Sequence, residues 1–378
     1  MKARVLLVTR NFPPMVGGME RLNWHMAREL AQTHEVRVIA PEGSKIHAPD
    51  GVMIMETPLR PLWKFLAHSA WRAVHEARRW EPDTVLAGSG LTALPAWLAA
   101  RASTARSAVY LHGLDITVNH PLYRMIWLPV IRRMDRVIAN SNPTAKLALA
   151  AGVSANRLGI VHPGVELPGT IPDPDSVAAF RAEHELGERP LLLSVGRLSA
   201  RKGLREFVSE ALPRIAAAEP AVMLLIVGDP PSDALHAETQ TPESIRQAAL
   251  DAGVSGNIRF LGRIADDALS IAYLAADAHI FPVREIPGDP EGFGMVAIEA
   301  AAHGLPTVAF AAGGVVDAVS DGRSGKLIPA GDYVAFSHAV IDMLAHRREL
   351  STSCRRFSED FAWPEFGVAM RRELGILD

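Results

Sequence analysis

Glu291 and Glu299 stand eight positions apart, on either side of Gly292-Phe293-Gly294. A carboxylate is a good acceptor for two neighbouring hydroxyls, so this spacing suits one acid on a sugar and the other on a ribose. The run Met295 to Ala302 is apolar and helix-favouring, which predicts a loop opening directly into a helix. Gly292 and Gly294 let the backbone approach a ligand, and the helix start offers unpaired N–H groups and partial positive charge to phosphate or sugar oxygens. Arg197 and Lys202 follow Gly196 in Gly-Arg-Leu-Ser-Ala-Arg-Lys-Gly. Two cations on such a loop fit a diphosphate, the arginine as a fork and the lysine as a point charge. Arg201 beside them is the open position of the set: it could be a further cation of the site or the solvent-exposed member.

These residues need elements that place them. Lys2 to Thr9 reads as a buried parallel strand and Glu35 to Ala40 as the next. Between them Leu22, Met26 and Leu30 share one face of a helix over 19–30. Thr84–Ala87, Ser107–Leu111 and Arg136–Ala139 continue the sheet. The pattern restarts at Leu191–Val195 and continues through Val222–Val227, Ile258–Leu261, Ala278–Phe281 and Thr307–Phe310. The fold class is therefore α/β, with two Rossmann-like doubly wound domains. Residues 1–168 form the first and 169–361 the second. Glu166 to Asp175, with three prolines and a glycine, is the linker. In such sheets ligand loops leave the carboxyl ends of strands. Gly17-Gly18, His112, Arg197 and Glu291 all obey that rule, which directs them to one interdomain cleft.

The ordered set Gly17-Gly18, His112-Gly113, Gly196-Arg197 with Lys202, Glu291…Glu299 and Gly313-Gly314 resembles that of the retaining glycosyltransferases of family 4, which have the GT-B fold. The resemblance covers about the whole chain. It implies a second domain that binds a nucleotide-diphosphate sugar and a first domain that binds the acceptor. The terminal helix, residues 362–378, would pack back onto the first domain. It makes Arg197 and Lys202 the residues on the donor's phosphates, and Glu291 and His112 the residues beside the transferred sugar. Gly17, Gly18, Gly196, Gly292, Phe293, Gly294 and Glu299 fall on the donor side. Arg263 and Ile264 lie in a loop suited to the base. Asp115 either shapes the acceptor pocket or caps a short helix. Gly17-Gly18 also reads as a plain turn, since no third glycine completes a dinucleotide fingerprint. No metal and no other cofactor is expected, because the histidines lack ligand spacing and protein cations neutralise the diphosphate in this fold. The opening Asn-Phe-Pro-Pro and the Pro-Gly-Asp-Pro-Glu-Gly-Phe-Gly stretch look most like bacterial mannosyl- and hexosyltransferases of glycolipid and polysaccharide assembly. The resemblance thus implies GDP-mannose as first donor, with UDP-glucose or UDP-N-acetylglucosamine next. Two rivals remain: a nucleotide-sugar epimerase on the same fold, and an inactive nucleotide-binding scaffold.

Composition narrows the partners. The chain has 378 residues, 48% hydrophobic and 21% charged, which is the profile of a globular protein of about two domains. Its single cysteine, Cys354, excludes an internal disulfide and fits a reducing compartment. Residues 1–168 hold 20 Lys and Arg against 12 Asp and Glu; the remainder holds 19 against 30. The basic half has no Lys/Arg block and no nucleic-acid motif, so nucleic acid is not expected. Residues 58–80 carry five Lys/Arg, one acid and three Trp. They read either as an amphipathic helix on an anionic membrane surface or as a helix packed on the sheet with its charges in water. With no signal peptide and no spanning segment in evidence, the expected location is cytoplasmic, peripheral on the inner face of the plasma membrane, facing a lipid-linked or glycan acceptor.

Overall fold

A computed structural model describes residues 2–169, 173–230, 239–346 and 349–376. The centre of the sequence-predicted linker and the last two residues of the C-terminal helix assignment lie outside this set. The chain divides into two compact units, Met1–Gly164 with Phe361–Asp378, and Val165–Asp360.

The first unit holds β1 Arg4–Val8, β2 Glu35–Pro41, β3 Val52–Thr57, β4 Thr84–Ala87, β5 Arg106–Leu111, β6 Arg136–Ala139 and β7 Leu158–Ile160. They form one sheet in the order β3-β2-β1-β4-β5-β6-β7, every pair parallel. Parallel neighbours need a crossover between them, and helices on both faces bury the sheet, so its inner strands are continuously apolar. Val5, Leu6, Leu7 and Val8 have no exposed surface. The helix Gly18–Ala31 buries Leu22, Met26 and Leu30. It also carries the C-terminal helix Trp363–Leu374: the Trp363 ring lies flat on His25, centroids 3.9 Å apart. The same ring fills the space a Cβ on Gly164 would need, and Arg136 Nε donates to Glu373 Oε2 at 2.7 Å.

The second unit repeats the plan with β8 Leu191–Val195, β9 Met223–Val227, β10 Ile258–Gly262, β11 Ala278–Phe281, β12 Thr307–Phe310 and β13 Gly325–Ile328. Their order is β10-β9-β8-β11-β12-β13, again all parallel. Three strands, β3, β7 and β13, escape sequence reading. All three lie at sheet edges, where one side meets no partner strand. β3 accordingly alternates buried Val52 and Ile54 with exposed Met53, and β13 includes a glycine and a lysine. Cys354 is buried, and burial pushes its thiol up to about 12, far from a reactive thiolate.

Residues 58–80 form the helix Leu62–Trp80 after a short lead. Phe65, Ser69, Ala73, Ala77 and Trp80 face the core, where the helix lies beside Ala93–Arg101. The opposite face is bare: Trp63 and Trp71 are about two-thirds exposed, with Lys64, Arg78 and Arg79 around them. Packing on the sheet and presenting tryptophan to the outside are thus both true of this helix.

Candidate active site

In each sheet the chain order reverses direction at the first strand. β8 sits between β9 and β11, and β1 between β2 and β4. The crevice at the carboxyl ends of such a strand pair is where open α/β sheets take ligands. The loop after β8 carries Gly196, Arg197, Arg201 and Lys202; the loop after β11 carries Asp289 and Glu291.

These two loops are tied together by charge. Lys202 Nζ donates to Glu291 Oε2 at 2.9 Å, and Arg201 Nε lies 3.2 Å from the same oxygen. Arg201 Nη1 donates to Asp289 Oδ1 at 2.6 Å, and the Arg284 amide donates to the Arg201 carbonyl at 2.8 Å. Lys202 also stands over the Phe281 ring, 4.6 Å from its centroid. Burial by itself would raise the Glu291 carboxyl, but Lys202 and Arg201 outweigh it and hold the group at about 2. Glu291 is therefore ionised at neutral pH and acts only as an acceptor. Burial pulls Lys202 down, with Glu291 opposing.

The structure resolves the position of Arg201, which the sequence left open: it is not the solvent-exposed cation. Its side chain is 15% exposed, because it must reach inward to pair Asp289 and Glu291. The exposed cation is Arg197, which makes no side-chain hydrogen bond or ion pair with a described residue. Its charge nonetheless reaches Lys202 and Glu291.

Glycine serves close packing here. Gly294 has φ 99° and caps the helix Met295–Ala302; a Cβ there would strike the Phe281 ring. Gly314 lies so close to Gly292 that a Cβ would collide with its carbonyl, and the Gly314 amide donates to the Glu291 carbonyl at 2.8 Å. The Gly313-Gly314 loop thus braces the Glu291 loop, and the Gly314 amide is spent on it rather than offered to a ligand. Phe293 is 2% exposed, so its side chain belongs to the core and not to a ligand surface. Glu299 lies in the second turn of the helix, 9% exposed, and its Oε2 accepts from Tyr273 Oη at 3.1 Å. Arg263 and Ile264 follow β10; Arg263 is exposed while Ile264 packs against the core.

In the first unit Gly17 precedes the helix Gly18–Ala31. A Cβ on Gly17 would meet the Glu20 carboxylate, which is buried and accepts from Asn11 Nδ2 at 2.6 Å. His112 lies just beyond β5, and its Nε2 is 2.8 Å from the Gly88 carbonyl. A carbonyl only accepts, so Nε2 carries the proton and Nδ1 of the neutral ring is an acceptor. Asp115 Oδ2 accepts the His112 amide at 2.9 Å, which favours the structural alternative for this residue. Gly113, at φ 93°, makes the tight turn between them.

Sequence reading left Arg201 open and missed Asp289 and Tyr273 as parts of this arrangement. The Asp289-Pro290-Glu291 run was a signal for Asp289; nothing local marks Tyr273. It also passed over Asp173-Pro174-Asp175, the one Asp-x-Asp run in the chain. That run sits at a helix start, where Asp173 Oδ1 accepts the Asp175 amide at 3.1 Å. Among the described residues no group of three or more His, Cys, Asp or Glu could hold a metal ion. A cavity of about 720 Å³ opens at the other end of the second sheet, by the amino ends of β8, β11 and β12, lined by Tyr273, His303 and Arg355 among others. It is remote from the charged loops, and open α/β sheets bind at the end those loops occupy.

Two doubly wound units with charged and glycine-bearing loops at their strand ends define a class, the GT-B sugar transferases. Residues 16–167 match the profile described as Glycosyltransferase Family 4, and residues 176–360 match Glycosyl transferases group 1. The chain is a glycosyltransferase and belongs to family 4. It is 31% identical over 364 residues to the GDP-mannose-dependent alpha-(1-6)-phosphatidylinositol monomannoside mannosyltransferase of Mycolicibacterium smegmatis, covering 91% of this chain and 90% of that one. It is 35% identical over 239 residues to the D-inositol 3-phosphate glycosyltransferase of Geodermatophilus obscurus, 62% of this chain and 51% of that one. Among solved structures, Anabaena Alr3699/HepE in complex with UDP and glucose superposes with a TM-score of 0.80 at 20% identity, covering 99% of this chain and all of that one. Among the described residues no helix is long and apolar enough to cross a membrane.

Proposed function

We propose that this protein is a retaining hexosyltransferase that moves mannose from GDP-mannose to a glycolipid acceptor without a metal ion. The observation that carries the reading is the buried Lys202–Glu291–Arg201 cluster, with exposed Arg197 beside it, at the switch point of the second sheet. The mannosyltransferase relative, matched over nine-tenths of its length, favours mannose and a phosphatidylinositol-type glycolipid. UDP-glucose and UDP-N-acetylglucosamine are the next donors.

In this reading the second unit binds the donor. Arg197 and Lys202 bind the diphosphate and stabilise its charge as the bond from sugar C1 to phosphate oxygen breaks. Glu291, held ionised by two cations, accepts from sugar hydroxyls; it is engaged too fully to attack C1. The acceptor hydroxyl, bound by the first unit beside His112, attacks on the face the phosphate leaves. Its proton passes to the departing phosphate oxygen. The products are a glycoside of unchanged anomeric configuration and a nucleoside diphosphate. Glu299 takes the ribose hydroxyls.

The helix Leu62–Trp80 supports a place on the cytoplasmic face of an anionic membrane. Its outward side joins exposed Trp63 and Trp71 to Lys64, Arg78 and Arg79, the pairing that suits a headgroup boundary. Changing Arg72, Arg78 and Arg79 to Glu is then expected to abolish low-salt sedimentation with phosphatidylglycerol vesicles while leaving donor affinity unchanged. Wild-type protein that ignores such vesicles ends the membrane reading.

The central test incubates the protein in excess EDTA with GDP-mannose or each UDP-sugar and a phosphatidylinositol mannoside. Release of nucleoside diphosphate with an α-linked product by NMR is expected. Inversion, a requirement for added Mg²⁺, or epimerised sugar still on its nucleotide would each refute it.

A further inference from the structure

We infer that Tyr273 is a positioning residue for ribose recognition, holding the Glu299 carboxylate in the orientation that accepts the ribose hydroxyls. The inference rests on the proposed role of Glu299 and adds the device that sets its geometry.

Tyr273 lies on the helix Asp266–Ala275 and is 2% exposed. Its phenol donates to Glu299 Oε2 at 3.1 Å, a charge-assisted bond away from solvent. The ring cannot swing away, because it is packed on two sides. It lies nearly parallel to the His303 ring, centroids 5.0 Å apart, and meets His279 edge-on at 6.4 Å. His303 is itself fixed from both ring nitrogens. Nδ1 is 2.8 Å from the Glu299 carbonyl, which can only accept, so Nδ1 carries the proton. Nε2 then accepts from Ser270 Oγ at 2.7 Å. Burial, then Arg355, lowers His303 to about 4, which keeps this neutral tautomer at physiological pH. Glu299 is therefore held at two points, its carboxylate through Tyr273 and its main chain through His303.

A glutamate has three side-chain torsions. Fixing the carboxylate before the ligand arrives removes an ordering cost from binding. The benefit falls only on ligands that have ribose hydroxyls for it to accept. A purely structural role would show no such dependence on the ligand.

The test is calorimetry on wild type, Tyr273→Phe and Glu299→Gln, each with GDP and UDP and with their 2′,3′-dideoxy analogues, beside steady-state kinetics. Phenylalanine keeps the ring contacts and removes only the hydroxyl. The expected result for Tyr273→Phe is an affinity for the better ribonucleotide about tenfold lower, with dideoxy affinity and kcat unchanged. Equal loss for both ligands overturns the inference in favour of simple structural damage, and no loss overturns it outright. Wild type that fails to distinguish ribose from dideoxyribose, or Glu299→Gln that keeps the distinction, refutes the ribose role of Glu299 and the inference with it. Loss in Glu299→Gln alone leaves that role standing and rejects Tyr273.

Discussion

The two units share one plan but fasten their strand-end loops by different forces. In the second, buried charges join the loops: Lys202 and Arg201 meet on Glu291, and Arg201 reaches on to Asp289. In the first, single hydrogen bonds of mixed kind suffice: His112 donates to the Gly88 carbonyl, Asn11 to Glu20, and the His112 amide to Asp115. Net charge would mislead here, since the acidic half of the chain is the one that concentrates Arg197, Arg201 and Lys202 at its strand ends. What a polyanionic ligand meets is the local arrangement, within a Debye length, and not the sum over the domain.

The largest effect expected on this contrast is on turnover. Lys202→Ala should lower kcat/KM by about 10²- to 10³-fold, the usual cost of removing one donor to a developing charge, whereas Asp115→Asn should leave turnover within about tenfold if that residue only holds a turn. Steady-state kinetics with saturating acceptor reads both; equal losses would erase the distinction between the units.

Arg201 and Arg197 sharpen it further. Arg201→Ala leaves Glu291 and Asp289 short of a partner in a buried site and should cost about 3 kcal/mol of stability. Arg197→Ala touches an exposed side chain with no ion pair among the described residues and should stay within about 0.5 kcal/mol while still weakening nucleoside diphosphate binding. Urea denaturation beside calorimetry separates the two. An Arg197 variant as unstable as the Arg201 variant would contradict the placement of both.

Acidification should also divide the units. His279 is held at about 3 by burial and Lys202, and His303 at about 4 by burial and Arg355; in the first unit burial, with Arg28, holds His25 at about 3. A histidine depressed below its ordinary 6.5 contributes stability that is full above that value and is lost as pH falls toward the folded value. Glu291 adds a similar loss, but only below its ordinary 4.5. Exposed His346 shifts upward and acts in the opposite sense, screened by solvent. Between pH 6.5 and 4.5 the second unit, with two depressed histidines against one among the described residues, should lose more stability. Amide hydrogen exchange resolved by unit would show it, and a first unit that opens earlier would refute it.

The smallest contrast concerns glycine. Gly314→Ala drives a Cβ into the Gly292 backbone and should destabilise by about 2 kcal/mol or more. Gly17→Ala meets only the end of the Glu20 side chain, which can move, and should cost under about 1 kcal/mol. Melting temperatures in the reverse order would show that the Gly313-Gly314 brace is not rigid.

The sequence by itself determined the α/β class, the restart of the strand pattern at Leu191, and the helix from Met295 to Ala302. Each is a local matter of apolar runs, periodicity and glycine placement, and periodic burial leaves its mark on neighbouring residues. It also determined family membership, because the motifs recur in order along the chain. Edge strands β3, β7 and β13 were less legible, since a strand with one partner need not be apolar throughout. The direction of each side chain was decided only in three dimensions. Arg201 and Arg197 are the same residue type four positions apart, yet one is drawn inward by Asp289 and Glu291 and the other stays in solvent. Phe293 is turned into the core and Tyr273 is brought 26 positions along the chain to Glu299. Pairings across such distances depend on which strand lies beside which, and no window of neighbouring residues encodes that.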